Sequence, residues 1–289
     1  MEGKFTLYGP EQKRIEDHDI LFLGLSRPEL DGCLASRIRK QLGDNSKTKL
    51  VVCIDYAIEL WQGVFNPHNL ERELMAADMI FVSEPAMKSH VEAVLSDASG
   101  KPRKTVHHIC HPTNIDALRT FYKAKSLRSD EVVALIHRYD NNWMAPYLAT
   151  KDLPWNTHAV LLDPGLEQQI YAYFNYVRPG VEFLQYLDWV SRMKVLVDSY
   201  HRIHTYGRTA VDNACLQIPT VGADWTYAQK LLWPDLTVAA GDVFGQKKLI
   251  IKLMENEEFY DECCEKANDK VQEFDYENSR KKLLDKLYN

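Results

Sequence analysis

The feature that most constrains this chain is a regular alternation of short apolar runs with amphipathic segments, which continues from Asp19 to about Leu236. The runs are rich in Val, Ile and Leu, and the segments between them are compatible with helices. Strands that alternate with helices along a chain form a parallel sheet whose two faces are covered by those helices. The sequence therefore predicts an α/β fold.

The apolar runs fall into two groups, which predicts two domains. The stretch KAKSLRSDE (123–131) interrupts the alternation with charge and serine, and VVALIH (132–137) restarts it. A chain of 289 residues suits two domains of roughly 100–200 residues each. We expect doubly wound domains over residues 1–128 and 129–289, with amphipathic helices closing the chain beyond Gln246. The predicted strands of the first domain are DILFLGL (19–25), KLVVCID (49–55), DMIFVS (78–83) and TVHHICH (105–111).

Composition narrows the class of protein further. No apolar stretch approaches the roughly 18 residues that a membrane span needs, and the N-terminus has no basic start followed by an apolar run. The six cysteines include no CxxC pair and several lie in apolar runs, which is typical of reduced thiols in the cytosol. We therefore expect a cytoplasmic protein with no transmembrane segment. The sequence does not indicate its oligomeric state.

The charge is unevenly distributed, because the N-terminal half is close to neutral and the acidic excess lies in the second half. Two local basic clusters stand out in the first half: Arg37, Arg39 and Lys40, and Lys101, Arg103 and Lys104. Such clusters bind an anionic partner or form solvated helix faces, and the sequence leaves both interpretations open.

In an open parallel sheet a ligand lies at the carboxyl ends of the strands, so the loops that follow strands are where a site is expected. The loop after the first strand contains Gly24, Asp31 and Gly32, and its glycines allow a tight turn beside a substrate. An ordinary turn in which Asp31 caps a helix explains the same residues.

A later segment has a more specific pattern, in which Gly207-Arg208-Thr209 opens a helix and Asp212 follows one turn on. A glycine with small neighbours at a helix start exposes N–H groups to a phosphate, and the carboxylate can accept hydrogen bonds from ribose hydroxyls. The pattern is that of a cradle for a nucleoside diphosphate. A purely structural helix start is the alternative.

A third candidate is a histidine group, His107, His108 and His111. Alternation along a strand sends His108 to the opposite side from the other two, and no fourth ligand with suitable spacing follows. We therefore expect no metal site.

With Asp198-Ser199 before it and Ile218-Pro219-Thr220-Val221-Gly222 after it, the segment Tyr206–Ala214 resembles the donor site of retaining GT-B glycosyltransferases. The resemblance rests on the order and pattern of motifs over roughly residues 19–289. It implies two Rossmann-like domains facing a cleft, with a nucleotide-sugar held by the C-terminal domain.

The resemblance also implies roles for individual residues. Asp212 stands at the second Glu of the family's Glu-x(7)-Glu motif, which binds the donor ribose, and His204 stands where the first Glu contacts the donor sugar. The histidine is a departure from the motif. Gly207, Arg208 and Thr209 fall where family members bind the diphosphate.

Arg138 matches the arginine that follows the first strand of the family's donor domain, although the lysine that usually follows is missing. Arg208 can supply that missing charge, since a guanidinium clamps phosphate through two parallel hydrogen bonds. If the reaction inverts the sugar, a base is needed, and Asp31 is the first candidate and His111 the second.

The function implied is transfer of a hexose from a nucleotide-sugar, with UDP-glucose or a similar UDP-sugar as co-substrate and no other cofactor or metal. The acceptor is unidentified, and a modified nucleic-acid base and a small molecule both remain open. Two alternatives keep the fold and change the function: a sugar-nucleotide epimerase, and a non-catalytic protein that binds nucleotide-sugars or acts as a scaffold.

Overall fold

The computed structural model describes residues 18–25, 32–43, 45–54, 66–136, 143–161, 170–178, 182–198 and 206–288. The chain divides into two compact units. The first consists of residues 1–56 and 60–108, and the second of residues 57–59 and 109–289. Each unit is described below by itself.

The first unit contains a parallel sheet of four described strands in the order β1-β2-β3-β4. The strands are β1 (Ile20–Leu25), β2 (Lys49–Ile54), β3 (Met79–Val82) and β4 (Val106–His108). They coincide with the four predicted runs. Residues 50–54 and 79–82 are buried throughout, as expected of strands covered on both faces.

Three described helices connect these strands: α1 (Leu34–Leu42), α2 (Pro67–Ala76) and α3 (Pro85–Val94). Two of them begin with the same local chemistry. Asn66 caps α2 and Glu84 caps α3 through side-chain oxygens, and a proline occupies the next position in each. Proline suits the first helical position because its missing N–H has no helical partner there, so both helix starts are encoded locally.

The second unit contains a parallel sheet of six described strands in the order β10-β9-β8-β5-β6-β7. The chain enters at β5 in the middle of the sheet, moves outward to β6 and β7, and then crosses to β8 on the other side of β5. This reversal is the doubly wound topology, and it creates a switch point between β5 and β8. The strands are β5 (Ser129–Ile136), β6 (Asn156–Leu161), β7 (Tyr176–Arg178), β8 (Met193–Asp198), β9 (Thr220–Ala223) and β10 (Thr237–Val238).

The described helices of this unit pack around a large apolar core whose fully buried side chains include Trp233, Tyr260 and Phe274. The predicted closing helices are present as α10 and α11. The helices are α4 (Ile115–Arg119), α5 (Met144–Thr150), α6 (Phe183–Val190), α7 (Arg208–Leu216), α8 (Tyr227–Leu232), α9 (Val243–Glu255), α10 (Glu257–Val271) and α11 (Tyr276–Tyr288).

The units divide the chain after residue 108, whereas the predicted domain limits were 1–128 and 129–289. The segment between the two positions is tied to the end of the chain. The backbone of Thr113 accepts from Tyr276 at 3.0 Å and donates to Phe274 at 2.9 Å. Ile115 and Leu118 enter the core of the second unit. These partners lie far apart in the sequence, so the local pattern of charge and serine does not reveal them.

No helix in the described part of the chain combines the length and the apolar character that a membrane crossing requires.

Candidate nucleotide-binding site

The switch point of the second sheet places two strand ends side by side. Leu135, near the end of β5, pairs with Asp198, the last residue of β8. Ligands of open α/β sheets bind at the carboxyl edge where the strand order reverses, because loops diverge there and leave a crevice. The helix that follows β8 is α7, which begins at Arg208 after the N-cap residue Gly207. The predicted glycine turn therefore lies in the segment that leads out of the switch point.

Gly207 is required at this position for two physical reasons. Its backbone is left-handed, with φ 83° and ψ 55°, a conformation that costs residues with a Cβ atom free energy. A Cβ atom here would also overlap the methyl group of Thr226, a buried residue in the loop after β9. The backbone N–H of Ala228 donates to the carbonyl of Tyr206 at 3.0 Å and holds the two segments together.

The first turn of α7 has the character of an anion site. Gly207 has no side chain with which to cap the helix, and the positive end of the helix dipole lies at this turn. Thr209 and the residues after it to Leu216 are all buried, whereas the side chain of Arg208 is 40% exposed. The helix therefore presents a guanidinium at its own N-terminus.

Arg208 and Asp212 form an ion pair one helical turn apart. Nε of Arg208 donates to Oδ1 of Asp212 at 2.6 Å, and the Asp212 side chain is only 4% exposed. Burial raises the pKa of Asp212 to about 6, although the neighbouring guanidinium opposes the rise. The carboxylate therefore restrains the orientation of the guanidinium through its Nε.

His111 lies beside the same turn. The Tyr206 hydroxyl donates to the His111 backbone carbonyl at 2.9 Å, and the two ring centroids are 5.6 Å apart. Tyr206 is buried, which raises the pKa of its phenol well above the usual range. A buried neutral tyrosine thus fixes the segment of His111 next to Gly207.

The structure brings five of the predicted site residues to one place: His111, Gly207, Arg208, Thr209 and Asp212. The other three, Asp31, Arg138 and His204, lie outside the described residues. Sequence reasoning missed Thr226, whose methyl group packs against Gly207. The position of Thr226 after β9 could have identified it, since site residues of such sheets lie in the loops that follow strands.

One side chain of each basic cluster of the first unit has a structural role. Arg39 donates to the carbonyl of Ala76 at 2.9 Å, and Lys104 donates to the carbonyls of Met75 at 2.7 Å and of Ala77. The last carbonyls of a helix have no helical partner, so these cations complete the C-terminus of α2. Burial lowers the pKa of Lys104. Arg39 and Lys104 are therefore committed to the helix, and for the other side chains of the two clusters both interpretations of the sequence stay open.

The histidine group shows no metal-binding geometry. His108 lies with Nε2 3.2 Å from the carbonyl oxygen of Ser83. Within the described ranges, no cluster of three or more His, Cys, Asp or Glu side chains could hold a metal ion.

No family model and no curated protein matches this sequence. Solved structures do match over nearly the whole chain. An α-glucosyltransferase in complex with UDP and a 13-mer DNA containing an HMU base is 14% identical with a TM-score of 0.67, over 95% of this chain and 81% of that one. HepE (Alr3699) of Anabaena in complex with UDP and glucose is 15% identical with a TM-score of 0.70, over 94% and 78%.

A trehalose-6-phosphate synthase, studied with bisubstrate glycomimetics, is 11% identical with a TM-score of 0.72, over 94% of this chain and 74% of that one. The chain therefore has the fold of the GT-B glycosyltransferases, with two Rossmann-like domains, as predicted. At these identities the similarity establishes the fold, and the activity has to be argued from the site.

Proposed function

We propose that this chain is a glycosyltransferase that moves a hexose from a UDP-sugar to an acceptor. The observation that carries the proposal is the Gly207 turn, which leads from the switch point of the second sheet to a helix N-terminus bearing Arg208. Its fold is shared with enzymes that were solved with UDP and with UDP-glucose. Both lines of support point to the same ligand, a nucleoside diphosphate.

The donor diphosphate binds at the start of α7. A cation is unfavourable at a helix N-terminus because the helix dipole is positive there, and an anion is favourable. Arg208 therefore adds to a positive potential that the fold already produces, and its pair with Asp212 offsets part of it. A diphosphate between the helix N-terminus and the guanidinium relieves the repulsion between them. Arg138 is proposed as a further diphosphate ligand on the resemblance alone.

Asp212 has two proposed roles. Its Oδ1 accepts from Arg208, so the carboxylate acts as a positioning group for the guanidinium. Contact with the donor ribose, which the resemblance implies, is assigned to the other oxygen. The two roles are compatible because an ionised carboxylate accepts several hydrogen bonds.

Transfer depends on stabilising the charge of the departing diphosphate. Donors that are already oriented toward that charge stabilise it without reorganisation during the reaction. Arg208 and the N–H groups of the Gly207 turn are placed for this, and we propose that no metal ion is needed. His204 is proposed at the donor sugar, by position in the motif.

If the reaction inverts the sugar, His111 is the base that the geometry favours, since its ring packs against Tyr206 next to the turn. Asp31 remains the alternative. Replacement of His111 by Ala should lower kcat by about 100- to 10,000-fold and leave UDP affinity unchanged. A normal kcat would exclude the histidine as a base.

The acceptor remains unidentified. One matching enzyme was solved with DNA, but in this chain Arg39 and Lys104 are committed to the C-terminus of α2. Tight binding of DNA depends on cations that can reach phosphates. A small molecule is therefore the acceptor class to test first, and a DNA duplex with a modified base is the comparison.

The test is release of UDP from UDP-glucose in the presence of a panel of acceptors. We expect acceptor-dependent release in the wild type and strong loss in the Arg208→Ala variant. Arg280→Ala is the matched control, because Arg280 is an exposed arginine of the same unit that pairs with Glu277 through a surface ion pair. Interconversion of UDP-sugars without an acceptor would identify an epimerase instead. Absence of both reactions, with UDP still bound, would favour a non-catalytic binding protein.

A further inference from the structure

A second candidate site lies on the second unit, away from the glycine turn. It is an open groove of about 830 Å³ between α6 and the sheet face formed by β5, β6 and β7. Ser129 and Met193, which pair at the amino ends of β5 and β8, line one end of it. The turn before α7 follows the carboxyl end of β8, five residues further along that strand, which corresponds to about 17 Å. The groove is therefore a separate feature.

The rings of His158 and Trp189 line this groove, and a third ring, that of Tyr176, borders it by stacking on His158. Tyr176 of β7 stacks on His158 of β6 with ring centroids 4.6 Å apart, and His158 contacts Trp189 of α6 at 5.4 Å. The guanidinium of Arg178 lies 4.9 Å from the Trp189 ring centroid. Tyr176 is 52% exposed, so a ring face remains open to a ligand at the edge of the groove.

Polar groups of both kinds accompany the rings. Glu131 lies 3.1 Å from Nε2 of His158, and Asp188 lies 2.8 Å from Arg192. Burial lowers the pKa of His158, so the ring is neutral near pH 7 and one of its nitrogens is an acceptor. Nδ1 of His158 and Nε1 of Trp189 find no hydrogen-bond partner among the described residues, although both side chains are more than nine-tenths buried.

These properties select one class of ligand. The charged side chains that line the groove are two acids, Glu131 and Asp188, and two arginines, Arg178 and Arg192, so their charges balance and the groove does not attract a polyanion such as nucleic acid. A purely apolar ligand would leave the carboxylates and the guanidinium groups desolvated at a cost. A sugar ring has an apolar face that packs on aromatic rings and hydroxyls that both donate and accept. The volume falls within the range of about 300–1,000 Å³ that is usual for small-molecule sites.

We propose that this groove is a binding site for a neutral oligosaccharide, separate from the site of the nucleotide-sugar. The aromatic edge at Tyr176 takes the face of one sugar ring, and Glu131 and Arg178 hydrogen-bond to its hydroxyls. The proposal does not depend on transferase activity, because it concerns binding at another surface. For a transferase, such a site would hold a saccharide chain while its end, or another molecule, reacts.

The experiment is saturation-transfer NMR with maltotriose, cellotriose and chitotriose at millimolar concentration, on the full chain with saturating UDP. We expect at least one trisaccharide to bind with UDP present. Tyr176→Ala should weaken it about tenfold, since stacking on an aromatic ring contributes about that much. Tyr171→Ala is the matched control, because Tyr171 is 51% exposed in the same unit, whereas it is Tyr176 that stacks on the lining ring of His158.

A second variant, Glu131→Gln, tests the polar side of the groove and should also weaken binding. Melting curves of both variants establish that they fold. Three results would overturn the proposal: no trisaccharide binds, the bound trisaccharide is unaffected by Tyr176→Ala and Glu131→Gln, or UDP displaces it. Stronger binding of a single-stranded oligonucleotide that Tyr176→Ala abolishes would assign the groove to nucleic acid and also overturn it.

Discussion

Basic side chains lie at one end of each of two helices: at the C-terminus of α2 in the first unit and at the N-terminus of α7 in the second. In the first unit Arg39 and Lys104 donate to the last carbonyls of α2, the negative end of its dipole. In the second unit Arg208 lies at the first turn of α7, the positive end. The first arrangement stabilises a helix and the second does not. A cation that opposes a helix dipole therefore indicates a binding function better than a run of cations does.

The buried partner of Arg208 supports this interpretation. The side chain of Asp212 is almost entirely buried, whereas surface ion pairs are exposed and contribute little to stability. A carboxylate that is buried solely to orient an exposed arginine costs free energy, and function at that arginine would explain why the fold retains it.

The largest effect is expected for Gly207→Ala, which breaks the turn that positions Arg208. Left-handed strain of about 1–2 kcal/mol and overlap with Thr226 of about 1–3 kcal/mol together predict a loss of about 2–5 kcal/mol in unfolding free energy. Gly241→Ala is the matched control, because Gly241 has φ 82° but nothing within 4 Å of an added Cβ atom. Chemical denaturation measures both. Equal losses in the two variants would mean that the contact with Thr226 is not tight.

The next effect concerns the pH dependence that Asp212 creates. Its pKa rises on folding from 3.8 to about 6, so the folded state holds the proton more tightly. The stability gained from this protonation is present below about pH 4 and is lost as the pH rises through about 6, an effect of about 3 kcal/mol. Compared with Asp212→Asn, the wild type should lose unfolding free energy over this range. A pH-independent difference between the two proteins would contradict a buried carboxylate.

A smaller effect is expected for Lys104→Met, which removes a cation from the C-terminus of α2. The carbonyls at the end of α2 lose a donor, which costs about 1–3 kcal/mol in stability. UDP affinity should not change. Lys101→Met, at an exposed position of the same cluster, is the control and should leave both quantities unchanged. Weaker UDP binding by the Lys104→Met variant would indicate that the basic cluster binds an anion.

No effect is expected from chelation, because the charge of the diphosphate is balanced by Arg208 and the helix N-terminus. UDP-glucose turnover should be the same with and without EDTA. Loss of turnover that manganese restores would place a metal ion in the site.

The sequence predicted the strands of the first unit well because the central ones are apolar runs that are complete in themselves, as in KLVVCI and MIFV. It predicted the start of α7 for the same reason, since glycine and the residues after it carry the signal locally. The grouping of residues 109–128 with the second unit could not be predicted, because it depends on hydrogen bonds between Thr113 and the end of the chain.

The candidate site was predictable in its residues but not in their environment. The spacing of Arg208 and Asp212 places them on one side of a helix, but burial of the carboxylate depends on the core packed around α7. Likewise, Lys104 and Arg39 are 65 residues apart in the sequence, and both donate to carbonyls at the C-terminus of α2 only because the fold brings them there. The contact between His111 and Tyr206 is of the same kind.

The most direct test of the account is a calorimetric titration of UDP into the wild type, Arg208→Ala and Arg280→Ala. We predict that the wild type and Arg280→Ala bind UDP equally. Arg208→Ala should bind about 10- to 150-fold more weakly, because a charge-assisted hydrogen bond contributes about 1.5–3 kcal/mol. A melting curve for each variant confirms that it is folded. Absence of UDP binding at millimolar concentration, or equal affinity in all three proteins, would contradict the assignment of the α7 N-terminus as the nucleotide site.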